Sequence, residues 1–116
     1  MKGFGDLYKS KKQGNKKTKL SEEDIMQQAF TFHSQGNITE ASKYYQLYIN
    51  QGYKNARVFY NYGTILKNLG NLKEAEISYR KAIEINPNYA LAHSNLGTIL
   101  KNFGNLIEAE ISYRKA

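Results

Sequence analysis

Residues 63–82 read GTILKNLGNLKEAEISYRKA, and residues 97–116 return them as GTILKNFGNLIEAEISYRKA, altered only at Leu69/Phe103 and Lys73/Ile107. The offset is 34 residues. A fixed period of that size marks a stacked array in which each unit covers its neighbour, because no single unit can bury its own apolar face. The small and aromatic residues inside the period select paired helices. The expected fold is therefore all-α, an α-solenoid of stacked antiparallel helix-turn-helix repeats.

Working outward, the punctuation of the stretch recurs. Gly70, Asn71 and Glu74 have counterparts in Gly36, Asn37 and Glu40, and in Gly104, Asn105 and Glu108. A glycine permits the left-handed turn that ends one helix, and Asn with Glu three residues on is a pair that can cap the next by reciprocal side-chain to backbone bonds. Ser21, followed by Glu22, Glu23 and Asp24, is the signal for the first helix start. These marks place helices near 22–35, 38–50, 56–69, 72–85, 90–103 and 106–116. The units are then 22–55, 56–89 and an incomplete 90–116, within a domain of 21–116. Pro87, the only proline, falls between the fourth and fifth helices, where it stops one and can open the next.

Within the units, close helix crossings need small side chains, and Gly63 and Gly97 with Ala41, Ala75 and Ala109 supply them. Tyr45, Tyr79 and Tyr113 follow those alanines by one turn and are expected to fill the space beside them. Leu66, Leu69, Leu72 and Ile83, with Leu96, Leu100, Phe103 and Leu106, extend the apolar faces. Ile107, where Lys73 stood one repeat earlier, adds to an uncapped apolar end, so either a longer array or self-association through that end is expected.

The chain has 116 residues, 41% of them hydrophobic, enough for one modest core. Its net charge of +7 is concentrated at one end. Residues 1–20 hold seven lysines against Asp6, while 21–116 carry 10 basic and 9 acidic residues. Such a lysine-rich segment cannot bury enough surface to offset its ordering entropy and reads as a disordered tail, a solubilising end or an attachment to nucleic acid or an anionic membrane. It has no Arg and no amphipathic register, which makes attachment to nucleic acid or a membrane weaker than the solubilising reading. No apolar run is long enough to span a bilayer or to serve as a secretory signal, so a cytoplasmic protein is the expectation.

Catalytic chemistry finds no footing. There is no cysteine, and the two histidines, His33 and His93, lie sixty residues apart without ligand spacing to a carboxylate cluster. His93 falls at a position expected to pack between helices. Glu74/Glu76 and Glu108/Glu110 are two apart on a helix and point to different faces. No phosphate-binding glycine loop is present. No metal, no cofactor and no enzyme activity are expected.

Phe59, Tyr62, Gly63, Leu66, Ala75, Tyr79, Ala82 and Pro87 resemble the pattern of the tetratricopeptide repeat family. The following unit matches through Leu96, Gly97, Leu100, Ala109, Tyr113 and Ala116, with His93 replacing an aromatic; the first, with Ile25, Gln28 and Ala29, departs more, as a terminal cap does. The resemblance implies a non-catalytic scaffold that binds an extended peptide of a protein partner in a concave groove lined by the first helix of each unit. The groove positions are Arg57, Tyr60, Asn61, Thr64, Lys67 and Asn68, then Leu91, Ser94, Asn95, Thr98, Lys101 and Asn102, with Glu23, Met26, Gln27, Phe30 and His33 from the first unit. Asn61 and Asn95 share one repeat position, and a row of amides can hold a peptide backbone whatever its sequence. A similar asparagine ladder lines the repeat groove of O-linked N-acetylglucosamine transferases. The clamp that grips chaperone tails in this family is not matched, because Met26, Phe30 and Leu91 stand where its polar residues belong. An alternative is that the chain is the N-terminal, substrate-recruiting module of a larger sulfotransferase-like or glycosyltransferase enzyme.

Overall fold

A computed structural model of the chain describes residues 20–115. The expected tail lies outside them, apart from Leu20, which is buried rather than disordered. Five helices follow: α1 (Glu22–Ser34), α2 (Ile38–Asn50), α3 (Ala56–Asn68), α4 (Leu72–Ile85) and α5 (Ala90–Lys115), with no strand among the described residues. They form two compact units, divided between Lys54 and Asn55.

The first unit is the α1/α2 hairpin. At its start the Asp24 amide donates to Ser21 Oγ at 3.0 Å and the Ser21 amide donates to Asp24 Oδ2 at 3.2 Å, a complete capping box. Leu20 before the cap and Ile25 inside it are both buried and hold the two positions of a hydrophobic staple. Gly36 takes φ 78° at the turn. The cap of α2 is only half of the expected pair. Glu40 N–H donates to Asn37 Oδ1 at 3.3 Å, but the Asn37 amide goes to the Phe32 carbonyl and the Glu40 side chain to Lys43. Ile25, Ala29 and Phe32 of α1 and Ala41, Tyr44, Tyr45 and Tyr48 of α2 form the core, with the Phe32 and Tyr44 rings stacked at 5.7 Å. Tyr48 O–H donates to Glu22 Oε2 at 2.5 Å; burial first, then that carboxylate, raise its phenol well above the ordinary range.

The second unit holds α3, α4 and α5. Val58, Phe59, Gly63, Ile65 and Leu66 of α3 are buried, as are Ala75, Ser78, Tyr79 and Ala82 of α4. The small residue at 63 does what its type implies: a Cβ there would stand 3.0 Å from Tyr79 Cε1 and 3.3 Å from Ser78 Cβ. Ser78 Oγ donates to the Phe59 carbonyl at 2.6 Å, satisfying the one buried polar side chain between the helices. Gly70 turns the chain at φ 85°, yet Asn71 makes no side-chain cap, so glycine and packing close this hairpin without it. Asn86 is extended, as a residue before proline prefers, and Pro87 ends α4; it does not open α5, which begins at Ala90.

One expectation is overturned. The break at Gly104 and Asn105 is absent, and the fifth and sixth helices are one 26-residue helix, α5. Gly104 is not among the glycines with positive φ. Its local sequence is nearly that of the Gly70 turn, so sequence alone permits both states. Continuing the helix keeps its carbonyl bonds, whereas a turn gives several up and regains them only through packing of the returning helix. That packing is missing here. Ala109 and Tyr113 are exposed, Tyr113 at 87%, and a Cβ on Gly97 would meet nothing within 4 Å. Gly97 therefore marks no close crossing and Tyr113 fills no space beside Ala109, contrary to expectation. Leu69, Leu100 and Leu106 are likewise exposed instead of extending the core.

Candidate protein-binding face

Four elements of the second unit converge on one polar-aromatic cluster. Tyr60 and Thr64 lie one turn apart on α3, Tyr79 comes from α4, Tyr89 from the connection before α5, and Asn95 from α5 itself. Thr64 Oγ1 donates to the Tyr60 carbonyl at 3.1 Å and lies 2.9 Å from the Tyr79 hydroxyl. A hydroxyl has one proton, so the Thr64 oxygen must accept from Tyr79 O–H. Asn95 Nδ2 donates to Tyr79 Oη at 3.2 Å and to Tyr60 Oη at 3.4 Å. The result is a directed chain from the Asn95 amide through Tyr79 and Thr64 to the α3 backbone. It fixes the Asn95 side chain with both amide protons used, and its Oδ1 has no partner among the described residues.

The Tyr60 ring stacks on Tyr89 at 5.2 Å and tilts against Tyr79 at 5.8 Å. Burial raises the Tyr79 phenol, against the pull of the Asn95 hydrogen bond. Burial and Tyr60 also raise Tyr89, with the charge of Arg57 opposing them. Neither α3 nor α5 before Glu108 carries an acidic residue, while Arg57, Lys67 and Lys101 are basic. The field of these helices is positive.

Of the groove positions expected from sequence, the structure gathers Tyr60, Thr64 and Asn95, with Arg57 close by. Asn61 and Lys67 are half-buried on α3, Asn68 is exposed at its end, and Leu91, Ser94, Thr98, Lys101 and Asn102 are exposed along α5. Glu23, Met26, Gln27, Phe30 and His33 belong to the first unit. There Gln27 Nε2 donates to Glu23 Oε1 at 2.9 Å, and His33 Nδ1 meets the Tyr45 hydroxyl at 2.8 Å, where burial lowers the imidazole pKa. Sequence reasoning assigned Tyr79 to packing alone and passed over Tyr89. Their partners lie on other helices, and no local spacing announces that. His93 also departs from expectation: it is exposed, not packed between helices, and its Nε2 lies 2.8 Å from the Pro87 carbonyl, tying the loop to α5.

Among the described residues no group of His, Cys, Asp and Glu could hold a metal ion. No described helix, α5 included, is long and apolar enough to cross a membrane.

Two family models, both described as tetratricopeptide repeat, match residues 56–89 and 78–111. The first spans α3, α4 and the loop carrying Tyr89; the second runs from Ser78 through most of α5. No curated protein matches the chain. Repeats of this family generally mediate protein–protein interaction and are typically non-catalytic. The helix pairs, the 34-residue period and the matched residues agree, and the chain is a tetratricopeptide repeat protein.

Proposed function

We propose that the chain is a non-catalytic scaffold that binds an extended, carboxylate-bearing peptide segment of a protein partner across the first helices of its second unit, α3 and α5. The observation that carries this reading is the fixed amide of Asn95. Two tyrosine hydroxyls hold its N–H groups and leave Oδ1 to accept a backbone N–H from a ligand. Pre-orientation of that group lowers the entropy lost on binding. Asn61 at the same repeat position supplies a second amide, and the Tyr60/Tyr89 pair an aromatic surface. Arg57, Lys67 and Lys101, with no acidic residue on these helices before Glu108, favour a peptide with Asp or Glu side chains.

Screening the protein against short peptides of mixed charge tests the reading. Acidic, extended sequences should be selected, and their affinity should fall as salt is raised. The double variant Asn61→Ala/Asn95→Ala should bind them at least about tenfold more weakly, the loss of one to two hydrogen bonds. Unchanged binding by a double variant with unchanged helicity would remove the amides from the proposed site.

A further inference from the structure

Asn95 can meet a ligand through either end of its amide, and the two ends are nearly equal in size but opposite in hydrogen bonding. Something must choose between them. The choice is made 31 residues away, on another helix. Thr64 Oγ1 donates its one proton to the Tyr60 carbonyl at 3.1 Å, and Thr98 Oγ1 makes the same bond to the Ser94 carbonyl at 3.2 Å although Tyr113, the counterpart of Tyr79, stands exposed. The direction of this bond is therefore a property of threonine on its own helix. With its proton committed, Thr64 Oγ1 can only accept across its 2.9 Å contact with the Tyr79 hydroxyl. Tyr79 Oη, having given its proton away, can in turn only accept, so the end of Asn95 that faces it at 3.2 Å must be the N–H2. Tyr60 Oη takes the second amide proton at 3.4 Å. Reversing the whole row would leave Thr64 Oγ1 and the Tyr60 carbonyl oxygen 3.1 Å apart with no proton between them.

We propose that Thr64 is a positioning residue that decides what this face recognises: acting through Tyr79, it turns the Asn95 carbonyl oxygen outward, so that the position selects a ligand N–H over a ligand C=O. This role presupposes the peptide-binding face of α3 and α5, and it makes Thr64 the residue that sets a contact instead of one that forms it. In a Thr64→Val chain the polarity inverts. Valine keeps the branched shape but offers no acceptor, so the Tyr79 O–H turns to Asn95. The amide flips, Oδ1 accepts from Tyr79 and Tyr60 through its two lone pairs, and N–H2 faces outward. Every group is satisfied again, with the opposite selectivity.

Hydrogen exchange at the Asn95 side-chain amide, followed by nuclear magnetic resonance in the ligand-free protein, tests the relay without any peptide. In the native chain these protons should exchange at least about tenfold more slowly than those of exposed Asn102. Thr64→Ser, which keeps the acceptor, should preserve the protection; Thr64→Val should abolish it, and Tyr79→Phe should weaken it. A native Asn95 amide that exchanges as fast as that of Asn102 overturns the proposal, and so does protection that survives Thr64→Val, or Tyr79→Phe should the valine chain fail to fold. A second arm uses the acidic peptides selected by screening, N-methylated at one backbone position at a time. With the native chain one such methyl, which deletes an N–H, should weaken binding about tenfold, and with Thr64→Val the same methyl should cost nothing. Equal costs in the two chains overturn the proposal. If no peptide binds the native chain while Asn95 is protected, the peptide-binding reading fails and the orienting role of Thr64 stands on the exchange rates.

Discussion

Residues 63–82 and 97–115 differ at two positions and have different structures. In the first, Gly70 takes φ 85°, the chain reverses, and Tyr79 is fully buried on Gly63. In the second, Gly104 continues a helix and Tyr113 stands 87% exposed. Leu69→Phe and Lys73→Ile, the two changes, do not forbid a turn. What separates the regions is cover: α4 lies against both α3 and α5, whereas residues 105–114 stand exposed.

The largest expected effect comes from filling the two glycines. Gly63→Leu drives a side chain into Tyr79 and Ser78 and should cost about 2–3 kcal/mol in denaturant unfolding, with loss of the α3/α4 contact. Gly97→Leu, measured in dilute protein, meets nothing and should be neutral or gain up to about 1 kcal/mol from helix propensity. Equal losses at both sites would show that the two regions share one structure in solution.

The turn glycines should separate next. Gly70→Ala places a Cβ at φ 85° and should destabilise by about 1–2 kcal/mol, whereas Gly104→Ala removes a glycine from a helix interior and should stabilise by roughly 0.5–1 kcal/mol. Paired melting curves read the sign directly. A destabilising Gly104→Ala would place a turn there.

The smallest effect is alkaline. Burial raises the Tyr48 and Tyr79 phenols above the usual value of 10.0, so the folded state favours their neutral form. That contribution is complete below pH ~10 and is lost as pH rises through the folded pKa values, because the unfolded chain ionises first. Melting temperature should hold through neutral pH and decline above ~10, and Tyr79→Phe should shrink the decline. His33, lowered by burial, has the same sign at the acid end: its contribution is present above the usual 6.5 and is lost as pH falls through the lower folded pKa.

Much of the fold was legible from residue types at fixed spacing. Period, helix pairs and the packing roles of Ala41, Ala75, Tyr45 and Tyr79 follow from helical geometry and side-chain size, which are local properties. The missing break at Gly104 was not legible, since one motif serves both states and the choice depends on contacts distant in sequence. The candidate site was legible in part for a similar reason. Tyr60, Thr64 and Asn95 could be placed on exposed helix faces, but the hydroxyl chain that orients Asn95 passes through Tyr79. A buried tyrosine looks the same in sequence whether its oxygen has a partner or not.

The open first half of α5 also bears on how such a chain grows. Thr98 and Gly97 already hold the arrangement that Thr64 and Gly63 hold beneath α4. A gene that duplicates one more unit in frame inherits a seat for it, with no new surface to evolve. Lengthening by copying then requires few coincident mutations, and each added copy exposes the same seat to the next.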